Sequence, residues 1–227
     1  MNKKLFPLKV LKENVLSDFA TCLSKHGFYQ IEQQFERQTS DVVQIIHLMF
    51  IENKGSQTLS VVANIAVRHE RIEGLANSWR SDLKEKDKRR IATIGTELGK
   101  IIDCPHMRWD ISSLEDSLKV AESICRAVES HGFPYLEHYS NVRNIQKCLS
   151  SDNWRDWQGQ LPGGRALRLP LVYALLGQTD TARCTFVTQY EYLKSIDDPL
   201  VKDYPLFVRE VCRKLNIPNP LEDPYGE

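Results

Sequence analysis

The sequence lacks an excess of charge of either sign, and it lacks long apolar runs. Its 227 residues carry 30 Lys+Arg against 30 Asp+Glu. No stretch approaches the roughly 18 consecutive apolar residues of a membrane-spanning helix. Segment Leu5–Lys12 contains a proline and two lysines, which excludes the apolar core of a signal peptide. The composition therefore predicts a globular protein that binds no membrane and is not expected to bind nucleic acid.

Motifs with a defined chemistry are also missing. The sequence contains no CxxC pair, no zinc-finger or zincin spacing, no GxSxG elbow, no P-loop and no dinucleotide fingerprint. Six cysteines are dispersed along the chain, and Cys22, Cys125 and Cys212 fall on apolar helical stripes. A free cysteine in such a stripe behaves as a small hydrophobic residue. We therefore expect a reduced, cytoplasmic protein with no cofactor and no metal site.

The first half of the sequence combines one helical pattern with several strand patterns. Apolar residues at every third or fourth position predict a helix over 8–26, which Gly27 ends. Alternating or continuous apolar segments then predict strands joined by short connections, which favours an antiparallel meander covered by the first helix. The predicted strands are 28–37, 42–51, 58–67, a weaker one with a turn within 91–102, and a closing strand at 108–111.

From residue 112 onward every pattern is helical. Ser112 and Glu115 match a capping box, and Gly132 with Pro134 is expected to end the helix that begins there. Further helices are expected at 142–150, 165–176, 182–193 and 202–215. The predicted fold class is α+β, with an antiparallel sheet of about four to six strands covered by helices and an all-helical C-terminal region. We predict an α+β domain over 1–152 and a helical subdomain over 153–227, with a loose Pro-rich tail from residue 218.

The sequence His-Gly-Phe occurs twice, each time at the end of an apolar helical pattern. The two segments are Ser24–Phe28 and Glu129–Phe133. Two unrelated helices can share such an ending, because a histidine favours the helix C-terminus and a glycine caps it. An internal duplication is the alternative. Cys22 and His26 are four residues apart and could point the same way, but packing and capping are their favoured roles.

His47 and Asn64 lie on neighbouring predicted strands and could form a polar cluster on one face of the sheet. A catalytic role would require a nucleophile or acid beside them. The favoured interpretation is that His47 occupies a solvent-facing or hydrogen-bonded position in an otherwise apolar strand.

Pro162, Gly163, Gly164 and Arg165 precede a predicted helix that also carries Arg168. Backbone N–H groups at a helix start, with two arginines one turn apart, could hold an anion. A plain glycine-rich loop before a helix is the favoured alternative.

Tryptophans and a charged segment are the remaining candidates. Trp154 and Trp157, with Trp109 upstream, could pack as a seal or form an exposed binding anchor, and packing is favoured. Segment 80–90 has six basic and three acidic residues and no aromatic residue to stack on a base. Its acidic residues are expected to pair with its basic ones, which favours a solvated surface.

The order of these features resembles the bacterial family called domain of unknown function 4304. The similarity covers most of 8–196 and is strongest up to Ser140. The matching features are a helix ending in Gly27-Phe28, a strand with Phe35, the strand Val61–Val67, Trp109 before a long helix, the segment Gly132–Glu137, and Leu171–Gly177 before a helix with Ala182. The resemblance implies an α+β fold, a bacterial cytosolic setting and no established activity. Some relatives are regarded as immunity-type partners of toxins, and no functional residue carries over.

Three functions follow as hypotheses. The first is a non-enzymatic protein-binding module of immunity or regulatory type, since segment 191–227 holds eight acidic and five basic residues and could complement a basic toxin. The second is an enzyme with a pocket between the sheet and the C-terminal helices. It would use some of His47, His69, His106 and His138. The third is weak nucleic-acid binding through a basic face.

Overall fold

A computed structural model describes residues 7–53, 55 and 58–222, and it describes Trp154 by its backbone alone. The chain forms a six-stranded sheet together with helices that follow and cover it, which confirms the predicted α+β class. Residues 218–222 contain a turn at 220–221 and no helix or strand, and the rest of the expected loose tail lies outside the described residues. Within the described part of the chain, no helix combines the length and the apolar character needed to cross a bilayer.

The helices and strands have the following bounds. The helices are α1 (Leu8–Ser24), α2 (Glu70–Ala76), α3 (Glu85–Arg89), α4 (Leu98–Ile101), α5 (Leu114–Ala127), α6 (Phe133–Tyr139), α7 (Val142–Leu149), α8 (Pro162–Leu175), α9 (Thr179–Ser195) and α10 (Tyr204–Leu215). A π-helical turn spans Val128–Gly132, and 3-10 turns span Trp154–Trp157 and Pro199–Lys202. The strands are β1 (Tyr29–Ile31), β2 (Gln34–Thr39), β3 (Val42–Asn53), β4 (Thr58–His69), β5 (Ile94–Glu97) and β6 (Trp109–Ile111).

The chain divides into two compact units, each made of two separate segments. The first unit comprises 1–67 and 95–138, and the second comprises 68–94 and 139–227. This grouping differs from the predicted division into 1–152 and 153–227, which stays a prediction. The sequence left the role of residues 69–104 open, and most of segment 68–94, which belongs with the C-terminal helices, falls within that range.

The sheet has the strand order β1-β2-β3-β4-β5, and β6 pairs with β4. Phe35 of β2 pairs with Ile46 of β3, and the ring of Phe35 packs edge-on against Phe19 of α1 at 4.9 Å. This face of the sheet is the core of the first unit. The residues that β3 presents to the opposite face, Val43 and Ile45, are also buried, as expected for a central strand.

The predicted single strand 28–37 is wrong, because the segment is a tight hairpin of β1 and β2. Ile31 pairs with Gln34, and Glu32 between them has a positive φ of 55°. Glycine, asparagine and aspartate are the usual residues in that backbone region. A glutamate there gives no sequence signal, so the turn was hidden in an alternating pattern.

The prediction that Gly132 and Pro134 end the long helix is also wrong. Helix α5 continues through the π-helical turn into α6, and the N–H of Phe133 donates to the carbonyl of Val128. Because the π turn shifts the hydrogen-bond register, the chain can remain helical through a residue that has no N–H to donate. The predicted capping box is shifted by one residue, since Ser113 accepts from the backbone N–H of Asp116.

Helix α8 begins at Pro162 rather than at Arg165. Gly163 and Gly164 therefore lie in its first turn and not in a loop. Proline is favoured in the first turn of a helix because its missing N–H is not needed there. In segment 91–102, β5 is followed directly by α4, so the expected strand is present but the expected turn is a short helix.

Candidate functional site

The first unit contains a cluster of chemically versatile side chains where α1 packs against α5. Cys22 of α1 and Cys125 of α5 are joined as a disulfide, with their Cα atoms 6.6 Å apart. The expectation of free, reduced cysteines at these two positions is therefore wrong for this structure. Both residues do lie on the apolar stripes that the sequence predicts, and the packing of the two stripes brings their sulfurs together.

Glu129 stands beside this cysteine pair and is the centre of a small polar network. Its Oε1 lies 2.8 Å from Nε2 of His26, 3.0 Å from Nζ of Lys25 and 3.9 Å from Sγ of Cys125. The hydrogen bond with His26, followed by that from Lys25, lowers the pKa of the Glu129 carboxyl below its ordinary value. The carboxylate is therefore ionised at neutral pH and carries the negative charge that attracts a cation.

The donor set of this cluster suits a metal ion. One ligand atom each from Cys22, Cys125 and Glu129 lie within 4.8 Å of one another, the only such group among residues 7–53, 55 and 58–222. The sequence predicted no metal site here, because Cys22 and Cys125 are 103 residues apart and follow no known spacing. Cys22 and His26 were considered together, but packing and capping were favoured for them, and Glu129 was not considered as a ligand.

Aromatic rings and an arginine form one wall of this cluster. The two His-Gly-Phe segments meet here: the ring of Phe28 stacks on that of Phe133 at 5.7 Å, and the ring of His26 meets Phe133 edge-on at 4.8 Å. The guanidinium of Arg37 lies 4.8 Å from the Phe28 ring and donates to Glu137 at 2.8 Å. The contact with Phe133 restricts the position of the His26 ring beside Glu129.

The two glycines of the repeated motif have different roles. Gly27 has a φ of 79° and follows the end of α1, as the capping interpretation requires. Gly132 lies inside the π-helical turn, where a Cβ would come within 3.3 Å of the side chains of Ile65 and Val128. The capping interpretation is therefore confirmed for the first motif and wrong for the second.

In the second unit, the proposed anion-binding residues are occupied by internal contacts. Arg168 is buried and makes a two-pronged ion pair with the fully buried Glu73, at 2.7 and 2.8 Å. Arg165 donates to the carbonyl of Leu149 and to Gln189, and its guanidinium stacks on Trp157 at 4.5 Å. Both arginines thus hold the second unit together, so the arrangement favours a structural role over an anion site.

The glycines of that motif provide space for these arginines. Gly164 accepts a hydrogen bond from Arg168 at its carbonyl, and a Cβ on this residue would collide with the side chain of Gln160. A Cβ on Gly163 would lie 3.4 Å from the carboxylate of Asp198. The motif therefore serves close packing around the start of α8.

His47 and Asn64 both lie on the face of the sheet that points away from α1 and α5. His47 is half-buried and pairs with Gln34 on the neighbouring strand. Asn64 lies on the face of β4 opposite to Val61 and Ile65, both of which are buried. Burial, and then the charge of Lys12, lower the pKa of His47. A neutral imidazole in the sheet agrees with the structural interpretation, and the catalytic one stays a prediction.

The other histidines of the enzyme hypothesis lie in both units. His106 and His138 are exposed in the first unit, on a loop and on α6, while His69 is buried at the end of β4 in the second. None of them belongs to the cluster around Glu129. The enzyme hypothesis stays a prediction.

The tryptophans that the structure describes are packing residues. Trp157 is buried and donates from Nε1 to the carbonyl of Ser151, and Trp109 is buried on β6 with its Nε1 donating to Ser123. The side chain of Trp154 lies outside the described residues. In segment 80–90, Arg80 pairs with Asp82 as expected for a solvated surface.

No protein-family model, curated protein or solved structure matches this chain. The similarity to the bacterial family described above therefore stays a prediction, and the function has to be argued from the residues themselves.

Proposed function

We propose that this chain is a non-enzymatic protein-binding module and that it binds its partner at the β1 edge of the sheet. The observation that carries the proposal is the exposure of two large apolar side chains on this terminal strand. Tyr29 is 50% exposed and Ile31 is 45% exposed. A terminal strand has unpaired backbone groups on its outer side, and it can accept a further strand from another chain.

Two further exposed apolar side chains lie on the same face of the sheet, on β3. Ile31 pairs with Gln34, which in turn pairs with His47, so these three residues form one row. Met49 and Ile51 follow His47 at steps of two and share its face, and each is 38% exposed. We call the surface formed by Tyr29, Ile31, Met49 and Ile51 the edge patch.

The charges around the edge patch indicate what kind of partner fits. Glu32 is exposed in the turn that follows Ile31, and Glu36 accepts a hydrogen bond from the hydroxyl of Tyr29 at 3.1 Å. An extended segment that alternates apolar and basic residues would complement this surface in shape and charge.

A narrower form of the proposal is an immunity-type role in the cytoplasm, in which the partner is a basic toxin. The acidic excess of segment 191–227 and the acidic rim of the edge patch support a basic partner. Co-purification from the native host with mass spectrometry tests this form. Recovery of a basic protein in stoichiometric amount is expected, and repeated recovery of none counts against it.

The edge patch is tested by selecting short random peptides against the immobilised full chain. We expect enrichment of peptides that alternate apolar and basic residues, and loss of their binding in the variant Ile31→Lys, which places a like charge against the partner. Leu118→Lys is the matched control, because Leu118 is 50% exposed on α5 in the same unit. Enriched peptides that bind Ile31→Lys as well as the wild type would refute the edge patch as the binding surface.

A further inference from the structure

Four side chains at the neighbouring ends of α1 and α5 form two matched pairs. Cys22 and His26 are four residues apart, and so are Cys125 and Glu129. Cys22 lies in the last turn of α1 and His26 just beyond it, while Cys125 lies in the last turn of α5 and Glu129 in the π-helical turn that follows, so each helix end brings two ligands to the cluster. We propose that, when the cysteine pair is reduced, these four residues form a tetrahedral Zn²⁺ site.

The distances around Glu129 are close to those that zinc imposes. Zn–S bonds near 2.3 Å and Zn–O or Zn–N bonds near 2.0 Å place a sulfur about 3.5 Å from an oxygen, and a nitrogen about 3.3 Å from an oxygen. The separation of Cys125 Sγ from Glu129 Oε1 is 3.9 Å, and that of His26 Nε2 from the same oxygen is 2.8 Å. Each of these two separations has to change by about 0.5 Å for the atoms to share one ion, whereas the ring of His26, whose nitrogens are not among the ligand atoms that lie within 4.8 Å of one another, has to turn further toward the sulfurs.

The two sulfurs must separate for the ion to enter. Around zinc they lie about 3.8 Å apart, whereas in a disulfide they are bonded. The Cα atoms of Cys22 and Cys125 are 6.6 Å apart, at the wide end of the range that disulfides span. Rotation of the cysteine side chains can therefore supply the separation without moving the helices.

The chemistry balances with a dithiol as the reductant. The dithiol gives two electrons and two protons to the Cys22–Cys125 disulfide and is itself oxidised to a disulfide, which leaves two thiols on this chain. Zn²⁺ then displaces both thiol protons. Two thiolates, one carboxylate and a neutral imidazole give the site a net charge of minus one, which the ammonium of Lys25, 3.0 Å from Glu129, offsets.

The cluster is accessible and has a backbone feature common at functional sites. The side chains of His26 and Glu129 are 30% and 31% exposed, so an ion can reach them from solvent. Glu129 lies within the π-helical turn Val128–Gly132. Single π turns inside α-helices are rare and are found frequently at functional sites. A cytoplasmic location, which we propose above, would keep the two thiols reduced and available for the ion.

The test uses the full chain, reduced with a non-thiol phosphine under anaerobic conditions and titrated with Co²⁺ and then with Zn²⁺. We expect one ion per chain, thiolate-to-cobalt charge-transfer bands, and the intense visible bands of tetrahedral cobalt. Zn²⁺ should displace the cobalt, and the oxidised protein should bind neither ion. Competition with a chromophoric chelator gives the zinc affinity.

Variants separate this site from binding by other thiols. His26→Gln and Glu129→Gln keep both cysteines and leave the helices unchanged, and each should alter the cobalt spectrum and weaken zinc binding by at least about 10-fold. Cys125→Ser should abolish binding. Cys184→Ser, which removes an exposed free cysteine on α9, should change nothing. The proposal is overturned if the reduced protein binds no zinc, or if the His26 and Glu129 variants bind it with unchanged spectrum and affinity.

Discussion

The buried ion pair between Arg168 and Glu73 allows the sharpest prediction about this molecule. Arg168 donates five hydrogen bonds within the second unit, two to Glu73 and one each to Gln160, to the carbonyl of Gly164 and to the carbonyl of Ala92. In Arg168→Met the volume is nearly kept, but the fully buried carboxylate of Glu73 loses both of these charged donors.

The cost of that loss follows from the burial of the carboxylate. Removing one partner of a buried ion pair costs about 3–5 kcal/mol, because the remaining charge stays uncompensated. Asn77 donates to one oxygen of Glu73 at 3.1 Å, which places the expected loss at the lower end of this range. A domain of ordinary stability has about 5–15 kcal/mol of unfolding free energy, so the second unit should lose a large part of its own.

Urea unfolding of the full chain measures this loss of unfolding free energy. Amide hydrogen exchange in α2 and α8 then shows that the loss occurs in the second unit. The double variant Glu73→Leu with Arg168→Met should recover most of the stability, because no charge is then left buried. Arg213→Met is the control, since Arg213 pairs with Glu210 at an exposed position and its loss should cost under about 1 kcal/mol.

This experiment also separates the structural role of Arg168 from the anion-binding role. If Arg168 were held for an anion, inorganic phosphate would stabilise the wild type, and Arg168→Met would fold with little loss. A loss below about 1 kcal/mol in the single variant, or a double variant as unstable as the single one, would refute the reasoning.

Three further predictions concern the first unit. Burial lowers the pKa of His47 below 6.5, so the unfolding free energy should fall as the pH drops below 6.5. This pH dependence should be weaker in His47→Gln, and equal pH profiles of the two proteins would contradict the prediction. Gly95→Ala should lower the unfolding free energy by about 1–3 kcal/mol in urea titrations, because the Cβ of the new alanine would lie 2.7 Å from the Cβ of Ala66. An unchanged free energy of unfolding would show that residue 95 does not approach Ala66 so closely. Under oxidising conditions, replacing Cys22 and Cys125 by serine should cost about 2–4 kcal/mol. The loss should be smaller when both proteins are reduced without metal, where only the burial of the serine at position 125 remains, and an equal loss under both conditions would contradict the prediction.

The sequence predicted the main elements where one pattern dominates a segment. Helix α1, strands β3 and β4 and helix α5 have apolar positions that follow a single period over ten or more residues, and the structure places each within a few residues of its expected bounds. Where a local backbone conformation decides the outcome, the pattern was misleading. Glu32 turns the chain without a glycine, and Pro134 stays within a helix because the π turn precedes it.

The candidate site could not be predicted because it depends on which helices pack together. The stripes that contain Cys22 and Cys125 were both recognised, yet nothing in their spacing tells that α1 lies against α5. For Arg168 the sequence suggested a site that the structure does not favour, because an arginine beside two glycines resembles an anion ligand. Its partner Glu73 lies 95 residues away in a segment that the sequence left without a clear pattern.

The interleaved course of the chain limits how this protein can be shortened or divided. A fragment that stops at residue 138 would retain 68–94 but lose every C-terminal helix that completes the same unit. Its α2 would then carry an acidic group and apolar side chains with nothing to cover them. Dissection into independently produced halves therefore has to excise 68–94 together with the C-terminal portion, for example by linking residue 67 to residue 95 in one product and residue 94 to residue 139 in the other.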